Sequence, residues 1–125
     1  MEWSYRKYEA ERPVPMMEVH GTEDKTSRWE GDPFNEGGWG SYLAVPQAVA
    51  YWSAQAHCTH EETIEMPLIR NKVILHKYKG GEPAWEGGPA IEVRLYEVVG
   101  GKHTWALNDM NTCQEIWDFF SIYLR

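Results

Sequence analysis

Cysteine is scarce in this chain of 125 residues: Cys58 and Cys113 are the two present. At most one bridge can form, which is not the dense framework that staples small secreted domains, so two reduced thiols are expected and stability has to come from packing. Long apolar runs are missing as well. The longest uncharged stretch, Gly37 to Ala56, is rich in Gly, Ser, Ala and Gln and too weakly apolar to span a bilayer, and the N-terminus has no signal-peptide pattern. No membrane partner is expected, and this stretch of sequence carries no address. Positive charge is short too: 12 basic side chains face 19 acidic ones, for a net charge of -7 without any basic stripe. A phosphate backbone would be repelled, which argues against nucleic acid.

Metal-ligand spacing is equally thin. His57-Cys58-Thr59-His60 gathers the right residue types, but neighbours on one local segment rarely converge on a tetrahedral ion and no second pair has zinc-finger spacing. Neither a metal nor a cofactor is expected. Aromatic residues, in contrast, are plentiful, with seven Trp and seven Tyr. Trp52 and Trp117 fall on helical apolar stripes and are expected in the core. Trp29, Trp39, Trp85 and Trp105 fall in loops, where large amphipathic rings could form a carbohydrate- or protein-binding surface.

Length suits one domain with a modest core. Residues 1–12 are charged and aromatic without a clear period and read as a lead-in; residues 13–125 read as the structured part. Pro13 and Pro15 cannot donate to a ladder, so a short apolar strand runs from Met16 to His20 and ends at Gly21. Thr22 to Tyr42, with four Gly and one Pro, has turn chemistry and the length of a functional loop. Val45-Pro46 opens the clearest helix, with Val45, Ala48, Val49, Trp52 and Ala56 at helical spacing up to about His57. Glu62–Met66 and Val73–Tyr78 read as a hairpin. Ile91 to Val99 alternates Ile91, Val93 and Leu95 with Glu92, Arg94 and Tyr96, a strand with one wet face. Asn111 caps a last helix, with Gln114 reaching back, and Ile116, Phe119, Phe120, Tyr123 and Leu124 line its apolar stripe. The class is α/β. If the strands at 16–20 and 91–99 are parallel neighbours, the helix between them crosses over right-handed and covers one sheet face.

Chemistry concentrates in His20-Gly21-Thr22-Glu23-Asp24 and Gly100-Gly101-Lys102-His103-Thr104-Trp105. Asp24 lies just past the carboxyl end of a strand, and His103 lies in a glycine-flanked loop after another. An acid followed by a histidine in these settings completes the chain order Ser, Asp, His of a strand-borne triad. No Gly-x-Ser-x-Gly precedes Asp24, and Gly38-Trp39-Gly40-Ser41-Tyr42 is not that elbow, because Trp39 stands where its first glycine belongs. Taken singly, Asp24 also suits an ordinary turn and His103 a loop histidine bonded to a carbonyl.

The blocks Arg-Pro-Val-Pro with His-Gly-Thr-Glu-Asp, Val-Pro-Gln-Ala-Val-Ala-Tyr-Trp-Ser-Ala-Gln-Ala-His-Cys, Gly-Gly-Lys-His-Thr-Trp and Glu-Ile-Trp-Asp-Phe-Phe stand in an order that resembles the C-terminal part of the polyhydroxybutyrate depolymerase and feruloyl esterase group of α/β-hydrolases. The resemblance covers about residues 12–124. It implies the C-terminal portion of an α/β-hydrolase fold with an incomplete sheet, Asp24 as triad acid, His103 as triad base and Trp105 beside the histidine at the substrate. The substrate class it implies is a carboxylic ester of polysaccharide or polyester type. It also implies a nucleophile and oxyanion hole supplied from outside these residues, and a secreted or cell-envelope location for a full-length protein. The free strand edge left by that arrangement leads to an expected homo-oligomer or a separate N-terminal partner. Tyr78-Lys79-Gly80-Gly81 lacks the cysteine that family members often place there. The competing expectation is a non-catalytic carbohydrate- or protein-binding module with aromatic-rich loops.

Overall fold

A computed structural model describes residues 11–124; most of the 1–12 lead-in lies outside the described residues. The order of elements is β1 (Met16–Gly21), α1 (Val45–Gln55), β2 (His60–Glu65), β3 (Val73–Lys79), β4 (Val93–Val98) and α2 (Thr112–Ser121). The strands form one mixed sheet in the order β1-β4-β3-β2. β1 and β4 run parallel, Met16 opposite Val93 and Gly21 opposite Val98. β3 is antiparallel to β4 on one side and to β2 on the other, where His60 faces Lys79. This is an α/β arrangement with a helix over each face.

Pro46 at the start of α1 loses no backbone bond, and the Ala44 N–H donates to the Gln47 side chain at 3.3 Å. Val45 and Val49 of α1 pack on Val93 and Leu95, with Met16, Trp29, Trp52 and Tyr78 around them. Trp52, expected in the core from its spacing, is half-buried and packs against this cluster. On the opposite face Val73, Leu75, Tyr96, Val98, Ala106 and Met110 form a second cluster. Phe119 of α2 is fully buried there, with the Arg94 guanidinium 4.9 Å above its ring.

Three expectations change. β4 has no wet face: Arg94 and Tyr96 are buried, as Val93 and Leu95 are. Their polar ends are satisfied laterally, Arg94 by Glu92 at 2.9 Å and Tyr96 by Glu115 at 2.9 Å, so the strand is covered on both sides as parallel strands are. Gln114 does not reach back to cap α2. Its amide donates to Asp118 at 2.7 Å, and Asn111 alone caps, accepting from the Gln114 N–H at 3.2 Å. Trp117 is 61% exposed. It is not core, because the buried and half-buried side of α2 runs through Thr112, Glu115, Ile116 and Phe119 and Trp117 lies off it; Ile116 and Phe120 border a groove of about 350 Å3 with Met17, Val19 and Trp105.

The loop between β1 and α1 is organised by two buried carboxylates, Asp24 and Asp32. Asp32 accepts the Glu36 and Gly37 N–H groups at 2.8 Å each and pairs backbone to backbone with Tyr42. No helix is long and apolar enough to cross a membrane among the described residues. Cys58 and Cys113 are both free thiols, as their number led one to expect.

Candidate functional site

β1 and β4 end side by side, so the loops that follow them leave the sheet together. They are stitched by backbone: the Thr22 N–H donates to Val98 O at 3.0 Å, and the Glu23 N–H to Gly101 O at 3.0 Å. The Gly100 N–H donates to the Thr22 hydroxyl at 2.8 Å. Asp24 lies just beyond the first loop's stitches and His103 just beyond the second's.

The two side chains meet. His103 Nδ1 lies 2.8 Å from Asp24 Oδ2. The other carboxylate oxygen, Oδ1, accepts the Thr26 and Ser27 N–H groups at 2.9 Å each, which is the Asx-type turn an aspartate after a strand tends to make. The turn role and the partnership with histidine are thus carried by different oxygens of one carboxylate. Asp24 is 6% exposed, whereas the His103 side chain is 62% exposed. Burial alone pushes the Asp24 pKa up; the Ser27 N–H, the His103 ring and the Thr26 N–H together outweigh it and hold the carboxyl below its usual range. A carboxylate at Nδ1 selects the tautomer that carries its proton there and leaves Nε2 as the basic nitrogen.

An open hollow of about 330 Å3 lies over this pair, bordered also by Glu18, His20, Ser27, Thr104 and Trp105. Trp105 is 72% exposed and stands beside the histidine; its carbonyl accepts the Thr112 hydroxyl at 2.7 Å, which anchors the loop to α2. A second hollow, on the Lys102 side of Asp24, is lined by Glu23, Lys25, Arg28 and Glu30. Its cations and acids are mixed, Lys102 pairing with Glu23 at 3.1 Å, and no aromatic or aliphatic residue lines it.

The other sequence-level candidates lie apart from this pair. Ser41 is in the long loop, its hydroxyl donating to Pro33 O at 3.2 Å. His57 pairs with Glu82 at 2.7 Å, and the His60 ring meets the Thr59 hydroxyl at 3.0 Å; no group of three metal-ligating side chains converges among the described residues. Trp29 and Trp85 are half-buried, Trp29 against α1 and the His20 ring. The four-tryptophan surface therefore reduces to Trp39 and Trp105, at 80% and 72% exposure. His20 and Glu18 are the residues missed in the sequence. They alternate on β1 with Val19, and this period-two spacing, which puts Glu18 and His20 on one face of the strand, is the signal that could have found them.

No family model, no curated protein and no solved structure matches this chain.

Proposed function

We propose that this chain carries the acid and the base of a serine hydrolase acting on carboxylic esters of polysaccharide or polyester type, with Asp24 orienting His103 and the nucleophile supplied from outside the chain. The observation that carries this reading is the 2.8 Å contact between a buried, backbone-anchored carboxylate and an exposed imidazole. Asp24 holds the Nδ1 proton and stabilises the imidazolium; His103 Nε2 takes the proton from an incoming serine hydroxyl and returns it to the leaving alkoxide. Trp105 offers an aromatic wall for the acyl or sugar part of the ester. The strand-helix-hairpin-strand-helix order is then the C-terminal part of an α/β-hydrolase, and the β1 edge, unpaired among the described residues, is where its remaining sheet adds on.

The test has two arms. Assayed with p-nitrophenyl acetate and ethyl ferulate, the pure 125-residue chain reads background, because the nucleophile is what removing a triad member removes. The coding sequence upstream of the Met1 codon is read in frame for Gly-x-Ser-x-Gly, and the longer product hydrolyses both esters and loses this with Asp24→Asn or His103→Ala. Turnover by the 125-residue chain that survives His103→Ala overturns the proposal, and so does an active longer product indifferent to that substitution.

A further inference from the structure

The Asp24 carboxylate has a second imidazole behind it. His20, at 9% exposure, lies on the α1 face of β1. Its Nε2 is 2.6 Å from the Ser27 carbonyl oxygen and its Nδ1 is 2.8 Å from Glu18 Oε1. A carbonyl oxygen can only accept, so Nε2 carries a proton. A carboxylate oxygen can only accept as well, so Nδ1 carries one too. A ring with both nitrogens protonated is an imidazolium.

That cation touches the site at two points. Nε2 lies 3.7 Å from Asp24 Oδ2, the same oxygen that accepts from His103. The residue it holds by the carbonyl, Ser27, is the one whose N–H holds Asp24 Oδ1 at 2.9 Å. One carboxylate oxygen thus stands between a buried imidazole and an exposed one, while the turn that seats the carboxylate is gripped from below. Building on the reading of Asp24 and His103 as acid and base, we propose that His20, held as an imidazolium by Glu18 and the Ser27 carbonyl, is a positioning residue that fixes the turn of residues 24–27 and so sets the Asp24 carboxylate against His103.

The surroundings favour the charged ring. Burial pushes the His20 pKa down, but the Glu18 hydrogen bond, the Ser27 carbonyl and the negative charges of Glu18 and Asp24 outweigh it and raise it above the ordinary histidine value. Other ionisable groups lie near it on two of the elements packed around it. From the loop come Arg28, paired with Glu36 at 3.0 Å, and the Tyr42 hydroxyl. From β4 comes Glu97, in register with His20 and bonded to His76 of β3 at 2.9 Å. α1 meets His20 through Val45, Ala48 and Val49, which carry no charge.

The test is nuclear magnetic resonance on the full 125-residue chain, reading ring nitrogens by long-range proton–nitrogen correlation and backbone amides by hydrogen exchange. At pH 7 the wild-type His20 ring shows both nitrogens protonated, and the neutral form of His103 is the Nδ1–H tautomer. His20→Gln moves neutral His103 toward the Nε2–H tautomer that an unheld imidazole prefers. It also speeds exchange of the Thr26 and Ser27 amides by about tenfold or more, with Leu95 and Tyr96 as in wild type. A merely structural histidine would not shift the tautomer of another ring. Should His20→Gln fail to fold, Glu18→Gln decides: it keeps the ring, lowers the pH at which His20 loses its proton, and brings the same tautomer change above that pH. A singly protonated His20 in the wild type at pH 7 overturns the proposal, as does a folded His20→Gln with His103 tautomer and Thr26 and Ser27 exchange unchanged. No ester enters these measurements, so failure of the hydrolase reading in the activity assay and failure of the positioning role are separate results.

Discussion

Gly21 and Gly101 lie backbone against backbone where β1 and β4 end. A Cβ on Gly21 would run into the Gly101 carbonyl, and a Cβ on Gly101 would come to 3.1 Å from the Gly21 Cα and 2.7 Å from Val98 Cγ1. This close approach is what lets the two following loops share hydrogen bonds and present Asp24 to His103.

Gly21→Ala should therefore prise the loops apart. The obstacle is main chain, which cannot swing away as a side chain can, so a destabilisation of about 1–3 kcal/mol is expected. Urea unfolding measures it, and weakening of the Nδ1–H tautomer of His103 should accompany it. An alanine variant as stable as wild type with that tautomer intact would mean the contact does not organise the site.

Asp24→Asn tests the acid through pH. The folded-state pKa of Asp24 lies below the ordinary aspartate value near 3.9, so its contribution to stability is complete above that ordinary value and is lost as pH falls through the folded one. Wild type should be more stable than the Asn variant at pH 6, with the gap closing between about pH 4 and pH 2. A gap that is constant with pH counts against a paired carboxylate.

His20→Gln has the opposite sign. The His20 pKa is raised in the folded state, so its contribution is complete below the ordinary histidine value near 6.5 and is lost as pH rises through the higher folded value. Comparing urea midpoints of wild type and variant at pH 6 and pH 9 should show the difference shrink at the higher pH. Equal differences at both would show that His20 keeps one protonation state on folding.

β1 has one strand neighbour among the described residues, β4, and its free edge adjoins the groove lined by Met17, Val19, Ile116 and Phe120. An unpaired edge beside an apolar groove favours another strand. Light scattering coupled to size-exclusion chromatography should find the chain assembled at micromolar concentration, and Val19→Lys should return it to monomer. A stable monomeric wild type would set that expectation aside.

Several elements were plain from local pattern. Pro46 ahead of a helical stripe placed α1, Gly21 ended β1, and paired glycines before Lys102 marked a loop where main chains approach closely. Each of these rests on backbone geometry that a single residue type dictates. Arg94 and Tyr96 misled because a period-two alternation records side-chain polarity, not burial: long side chains hide their stems and satisfy their tips on Glu92 and Glu115. Trp117 misled because an apolar residue at the margin of a helical stripe can fall outside the side that packing buries, which here runs through Thr112, Glu115, Ile116 and Phe119.

The candidate site divides along the same line. An acid and a histidine in the right order, each after a strand, could be read from the chain. Their contact across 79 positions of sequence depended on β4 slotting between β1 and β3. The oxygens that face the two ring nitrogens of His20 lay further out of reach, since the Ser27 carbonyl is brought up to the ring by the fold of the loop. Local periodicity and turn chemistry are written in neighbouring residues and determined the elements of this protein. Register, burial and the state of a buried ring arise from groups brought together by packing, and only the folded chain decides them.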